Sequence, residues 1–318
     1  MSTRPSQGLR TILVATDFSP AAETAVERAA DLAAAYGARL ALVHAVAWSD
    51  DLDTGSEQAD AAMLVLRQAA AARLEAAASP LRGRGLDPVT RVAVGPSSQV
   101  ILGAARELGA DLVVVGTRGL TGWRHVLLGS TAQRVLEGAA CPVLAVHRGD
   151  PVRALRPRRV LVATDFSADA SAALRRADEL LGLAAGAVVL LHAYQPPPLL
   201  TGPSVGPVAA GREAGDGYRE RAAWRLAQEA EALRVGGRRP GIEVREGYPA
   251  DAIVAAARDL DADLVVVASR GRSGLVHLLL GSTAERVVQH AGCPVLVVPA
   301  VPRPQATAAA RPELVTAG

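Results

Sequence analysis

The sequence predicts an α/β protein in which an open, doubly wound parallel sheet of five strands is built twice along one chain. Three observations lead there. Long stretches of the first half recur in the second, short continuous apolar runs alternate with segments of helical spacing, and aspartate or glycine stands at the ends of the runs.

The repeat decides the organisation. TILVATDFS (Thr11 to Ser19) returns as VLVATDFS (Val160 to Ser167), and LVHA (Leu42 to Ala45) returns as LLHA (Leu190 to Ala193), so Asp17 matches Asp165 and His44 matches His192 at an offset of 148. Further on, Gly95 matches Gly247, Gly119 matches Gly271, Gly129 matches Gly281 and Cys141 matches Cys293 at 152. The second copy therefore carries four extra residues, and the Pro/Gly-rich stretch from Tyr194 to Pro207 is the natural place for them. The expected layout is a first domain over 1–148, a polar, proline-containing linker over 149–159, a second domain over 160–300 and a disordered Pro/Ala-rich tail over 301–318.

Within each copy the elements follow in order. ILVAT is a short β-branched run ended by Asp17, and Pro20 to Tyr36 has the spacing of an amphipathic helix with proline in its first turn. RLALVHAV is a second buried strand, and an Ala-rich helix covers roughly Glu57 to Leu81. VTRVAVG is a third strand, and SSQVILGAARELG is a helix expected to be capped by Ser97 or Ser98. DLVVVG, the helix containing TAQRVLEGA, and the strand PVLAVH complete the copy. Continuous apolar strands separated by helices argue for a parallel sheet covered on both faces. Ligands of such sheets bind beyond the carboxyl ends of the strands, where strand order reverses. Asp17 and Gly116 both fall on that edge.

Composition excludes several functions. With 318 residues the chain has room for two cores of ordinary size, and its 50% apolar content is rich in alanine, which suits tightly packed helices. No apolar run reaches the roughly 20 residues of a spanning helix, and MSTRPSQGLR contains no apolar segment of signal-peptide type, so a cytoplasmic protein is expected. A net charge of +2, with basic residues dispersed among acidic ones, makes nucleic acid a poor partner. All 34 basic residues are arginine, so mechanisms that require a phosphate-binding or Schiff-base lysine are excluded. Cys141 and Cys293 each precede a proline and an apolar run, the placement of two buried strand starts and not of a disulfide or metal pair.

The phrase GTRGLTGWRHVLLGST (Gly116 to Thr131) carries the chemistry, and ASRGRSGLVHLLLGST (Ala268 to Thr283) repeats it with the first glycine replaced. Glycine at a strand end permits positive φ or close approach of a ligand. Gly129-Ser130-Thr131 then opens a helix whose free N–H groups, dipole and hydroxyls can receive phosphates. A plainer reading makes the glycines tight turns and Ser130 a cap; recurrence in both copies favours the phosphate cradle. The phrase is neither a Walker A loop nor a dinucleotide turn.

In this arrangement the sequence resembles the universal stress protein family: ATDFS at the first strand end, LVHA at the second, Gly-x2-Gly-x9-Gly-Ser-Thr, then a helix and CPVLxV. The resemblance covers nearly the whole chain and is that of a tandem member of the ATP-binding type, with an adenine nucleotide alpha hydrolase-like fold. It implies ATP as cofactor, with Mg2+ as its companion ion. The implied site in the first copy comprises Ala15, Thr16, Asp17, Ala45, Val115, Gly116, Arg118, Gly119, Gly129, Ser130 and Thr131. In the second it comprises Ala163, Thr164, Asp165, Ala193, Val267, Ala268, Arg270, Gly271, Gly281, Ser282 and Thr283. The family's last strand commonly pairs across a dimer interface, which implies that PVLAVH and PVLVVP join the halves as an internal pseudo-dimer, and a homodimer of the whole chain is expected as well. Ala268 departs from the pattern: a methyl at that strand end would crowd a ribose, so the second copy is expected to bind ATP no more tightly than the first.

Other residues carry two readings each. Asp17 and Asp165 are either ligand-binding or helix-capping carboxylates, while His44 and His192 read as hydrogen-bonded residues of apolar strands. His125, His277, Arg118 and Arg270 either touch phosphate or lie on the surface, and Trp123, matched by Leu275, reads as packing. No catalytic or metal-binding residue is implied. The leading expectation is a cytoplasmic, ATP-binding stress-response regulator with at most weak hydrolysis, whose occupancy alters conformation or assembly. A phosphotransferase, or a nucleotide-free partner-binding protein, are the alternatives.

Overall fold

In the computed structural model, residues 8–47, 57–117, 128–150, 157–183, 186–195, 210–235, 237–271 and 280–300 are described. The first half runs β1 (Thr11–Ala15), α1 (Pro20–Tyr36), β2 (Arg39–Val46), α2 (Glu57–Arg82), β3 (Val89–Val94), α3 (Ser97–Glu107), β4 (Leu112–Gly116), α4 (Ser130–Gly138) and β5 (Val143–Val146). The second repeats it as β6 (Arg159–Ala163), α5 (Ala168–Leu181), β7 (Ala187–Tyr194), α6 (Ala210–Ala232), β8 (Gly241–Glu246), α7 (Pro249–Asp259), β9 (Leu264–Ala268), α8 (Ser282–His290) and β10 (Val295–Val298).

The two sheets are one. Strand order is β3-β2-β1-β4-β5-β10-β9-β6-β7-β8, parallel within each half and antiparallel only where β5 meets β10. In that joint Leu296 faces Leu144, with Val295 opposite Ala145 and Val297 opposite Val143. Each apolar last strand thus covers the edge that the other would leave open. The pairing gives the internal pseudo-dimer anticipated for the two CPVL segments.

Because side chains alternate along a strand, each face of the sheet acquires its own core. Ile12 and Val14 pack under α1, α2, α5 and α6, while Leu13, Val113 and Val115 pack under α3, α4, α7 and α8. Both cores run continuously from one half into the other.

Polar contacts also cross the joint. Tyr36, ending α1, donates its hydroxyl to the carbonyl of Leu181 at 2.6 Å. Arg28 is only 4% exposed; burial pushes its guanidinium pKa down, against the pull of Asp31, Asp150 and Asp263, the last from the other half. His147 reaches across with Nε2 to the carbonyl of Val288 in α8 at 2.6 Å, while its backbone N–H donates to Asp150 at 2.7 Å. The residue matching His147 in the second half is Pro299, so this contact has no symmetric twin.

Among the described residues no helix is long and apolar enough to cross a membrane. Neither Cys141 nor Cys293 is in a disulfide. The loop residues Arg118, Gly119, Trp123, His125, Leu275 and His277, the proline-rich insertion after Gln195, most of the linker and the tail lie outside the described residues.

Candidate functional site

Each half reverses strand order between β1 and β4, or between β6 and β9, and the TDFS segment leaves the sheet at that point. Its turn is built by its own side chains. Thr16 Oγ1 accepts from the N–H of Phe18 at 3.0 Å, Asp17 Oδ1 accepts from the N–H of Ser19 at 3.0 Å, and Ser19 Oγ accepts from the N–H of Ala22 at 3.2 Å. The second copy repeats all three bonds at Thr164, Asp165 and Ser167. Serine, not aspartate, therefore caps the following helix. The aspartate braces the turn with one oxygen, an Asx-type use.

This bracing holds an uncommon backbone. Phe18 and Phe166 sit at φ of 62° and 63°, the left-handed region that a bulky residue rarely adopts. Each ring is clamped in place. Phe18 lies 4.5 Å from the His44 ring and beneath the Arg73 guanidinium at 4.2 Å; Phe166 repeats this with His192 at 4.2 Å and Arg225 at 4.3 Å. His44 and His192 each place Nδ1 2.8 Å from the carbonyl of Thr16 or Thr164. They are hydrogen-bonded structural residues, as their apolar strands led one to expect.

The glycine phrase works differently from its sequence reading. Gly116, Gly129, Gly271 and Gly281 have no positive φ, so turning the chain is not their task. At Gly116 an added Cβ would stand 2.9 Å from the carbonyl carbon and oxygen of Ala21 and 3.0 Å from the nitrogen of Ala22, all backbone atoms of α1. The direction that a methyl would take is thus toward the helix, not only toward a ligand. Ala268 carries that methyl natively and remains half-buried, so α5 must stand off from β9 farther than α1 does from β4. At Gly271 a Cβ would lie 2.9 Å from Asp165 Oδ2, which ties this glycine to the carboxylate across the site.

Helix α4 begins at Ser130 with Gly129 as its N-cap, and α8 begins at Ser282 with Gly281; neither has a side-chain cap bond. Ser130 is therefore not the cap of the plainer reading. Its hydroxyl and that of Thr131 stand beside the open N–H groups of the first turn, a favourable setting for an anion. Ser97 is likewise not a cap, since α3 starts on it after Pro96.

A cavity opens at each site. The first, about 310 Å³, is lined by Ala15, Thr16, Asp17, Ala45, Val115, Gly116, Gly129, Ser130 and Thr131, together with Ala22, Val43, Ser97, Ile101 and Ala132. The second, about 440 Å³, is lined by Ala163, Thr164, Asp165, Ala193, Val267, Ala268, Arg270, Gly271, Gly281, Ser282 and Thr283. Ala170, Leu191, Pro249, Ile253, Ser269 and Ala284 complete it. Every expected position among the described residues faces its cavity; Arg118 and Gly119 lie outside them. Among the residues that sequence reasoning missed, Ser97, Ile101, Pro249 and Ile253 come from the start of α3 and α7, and the rest from elements already adjoining the named positions. Pro96, the N-terminal proline ahead of SSQVI, was the available signal.

The polar walls differ between halves. Glu229 of α6 accepts from Thr164 Oγ1 at 3.0 Å and from Ser171 Oγ at 2.6 Å, fastening that helix to the second site. The first half has Ala77 at the matching position.

The universal stress protein family model matches residues 8–147 and again 157–299. The chain belongs to the universal stress protein family. Universal stress protein Rv2623 of Mycobacterium tuberculosis is 31% identical over 304 residues, covering 90% of this chain and 95% of that relative. A universal stress protein of Mycolicibacterium smegmatis is 30% identical over the same length, covering 96% of that relative. Both are therefore matched across the tandem. Among solved structures, a universal stress protein from Archaeoglobus fulgidus superposes with a TM-score of 0.58 at 22% identity, covering 91% of this chain and 98% of that one. A protein of unassigned function from Pseudomonas aeruginosa gives 0.61 at 22%, covering 93% and 94%. These two likenesses support the fold.

Proposed function

We propose that this universal stress protein binds ATP in both cavities and acts as a regulator whose nucleotide occupancy alters conformation or self-association. One observation carries the reading. At each reversal of strand order, an uncapped helix N-terminus bearing Ser-Thr faces a braced aspartate across a cavity of small-molecule size.

The residues suit the ligand. Ser130, Thr131 and the first N–H groups of α4, or Ser282, Thr283 and those of α8, would hold phosphate oxygens. In the second site Arg270 adds a cation, since it lines that cavity. The apolar side chains of Val43, Ala45 and Ile101, or of Leu191, Ala193 and Ile253, would receive the base. Asp17 and Asp165 would take ribose hydroxyls. Mg2+ would arrive with the phosphates, since among the described residues each cavity offers it a single protein carboxylate.

Mass spectrometry of small molecules released from freshly purified protein, with thermal unfolding measured with and without ATP, tests the reading. Released adenine nucleotide, or a rise in melting temperature on adding ATP, is expected. Neither signal, at millimolar ATP with Mg2+, would sink it.

A further inference from the structure

The two outer strands of the sheet, β3 and β8, match in the repeat but are finished differently. Beside β3 an open groove of about 400 Å³ runs between the strand and α3, with Arg91, Ala93, Gln99, Gly103, Ala104 and Glu107 among its walls. Arg91 pairs there with Glu107, the last residue of α3, at 2.6 Å. The second half fills the matching place with a side chain. Ala93 corresponds to Arg245, whose guanidinium reaches Asp259, the counterpart of Glu107, at 2.5 Å and Glu243, the counterpart of Arg91, at 3.1 Å.

As strands the two borders differ in the same sense. β8 exposes Ile242 but surrounds it with Glu243, Arg245 and Glu246, charges that discourage pairing with another strand. β3 carries a single charge and leaves Val89 44% and Val94 38% exposed. Its backbone is open as well. The N–H of Gly95 bonds back to Val46 of β2 at 3.1 Å, so by alternation Thr90, Val92 and Val94 turn their N–H and C=O groups away from the sheet. Among the described residues those groups have no backbone partner.

We propose that β3 is a self-association edge, on which a second copy of this chain adds its own β3 in antiparallel register and joins two ten-stranded sheets into one. A twofold axis perpendicular to the sheet keeps each face on its own side, so residues set opposite one another share the same parity along the strand. A register centred on Val92 sets it against Val92 of the second copy, and Thr90 against Val94 of the second copy. All the outward-facing residues of β3 then form hydrogen-bonded pairs. Centring on Arg91 would instead set two arginines face to face and put Pro88, which has no N–H, opposite Val94. In the favoured register Arg91 stands opposite Ala93 of the second copy, on the face that holds the groove. Each copy thus brings a guanidinium to the place that Arg245 occupies in the second half, beside the carboxylate of Glu107. The groove is the space that this arginine takes up. The pairing needs no nucleotide, so it stands or falls apart from the ATP reading.

Sedimentation of the full chain without nucleotide, over about 1–100 μM, measures the association. A reversible monomer–dimer equilibrium is expected for the wild type. Ala93→Arg copies the filling that the second half carries natively, and Thr90→Pro removes one outward N–H at a border position that tolerates proline. Each is expected to raise the dissociation constant about tenfold or more, with the far-UV circular dichroism unchanged. Arg91→Glu and Glu107→Arg each weaken the dimer, and the two together restore it. A wild type that stays monomeric throughout the range overturns the proposal. So does a dimer that folded Ala93→Arg leaves intact, since its contact then lies elsewhere on the molecule, and a charge reversal that fails to restore pairing overturns the place given to Arg91.

Discussion

Replacing Gly116 with alanine puts the packing of β4 against α1 to a direct test. The new methyl would lie 2.9 Å from two backbone atoms of Ala21 and 3.0 Å from the nitrogen of Ala22, where ordinary contact starts near 3.4 Å. The neighbours are main chain in a proline-started, serine-capped helix turn, so no side chain can swing aside. Relief requires the start of α1 to move by about half an ångström, carrying Ser19 and the braced turn with it. Overpacking of this kind costs about 1–3 kcal/mol, which lowers the melting temperature by roughly 1–5 °C at this chain size. Urea unfolding of Gly116→Ala beside the wild type measures it. The reverse change, Ala268→Gly, removes a methyl that the second half already accommodates, and is expected to cost about 1 kcal/mol or less, through backbone entropy and a small void. Gly116→Ala matching the wild type within experimental error, or Ala268→Gly proving the more damaging of the two, would refute the reasoning.

Three further outcomes follow from the geometry. His147→Ala removes the hydrogen bond to Val288 and is expected to destabilise by about 1–2 kcal/mol in urea titration, while Pro299→Ala, at the matching position, leaves stability nearly unchanged. Glu229→Ala releases both Thr164 and Ser171 and should cost about 1–3 kcal/mol, whereas Ala77→Glu in the first half brings no comparable gain. Burial pushes the Cys141 thiol pKa up to about 11 from an ordinary 9.0. At pH 8 only about one thiol in a thousand is then thiolate, so native protein should resist labelling by a thiol reagent and react on unfolding. The raised value has a stability consequence of definite sign: the unfolded chain loses this proton first, so stability falls as pH climbs from about 9 toward 11.

The repeat made the fold legible. The offsets of 148 and 152 superpose strand on strand and helix on helix, and apolar runs bounded by glycine and aspartate gave nearly the element limits observed. The central joint of the two CPVL segments was expected from the family resemblance, and the need of an apolar edge strand for a partner agrees with it. Positions named from ATDFS and from the glycine phrase do converge on two cavities. What stayed hidden depends on distance in space. Sequence cannot tell whether a glycine serves its own φ or a neighbour's approach, and Gly116 and Gly271 are of the second kind. Nor does it show a positive φ on phenylalanine, which is sustained by two local hydrogen bonds and a ring clamp from elements far along the chain. Nor is the burial of Arg28 on an alanine-rich helix visible before the fold is known.

The antiparallel seam of β5 and β10 frees the halves from symmetry. Two separate subunits meeting through identical edges must use one sequence for both sides, so each substitution is made twice and has to be acceptable in both settings. Here the partner is covalently attached, its local concentration is set by the linker, and assembly of the seam is independent of dilution. Divergence on one side is then tested once. Histidine can face a helix end where its mirror position holds proline, a carboxylate can fasten one helix and be alanine in its twin, and a serine can become proline at one cavity only. Duplication followed by fusion turns a symmetric pair into two components able to specialise.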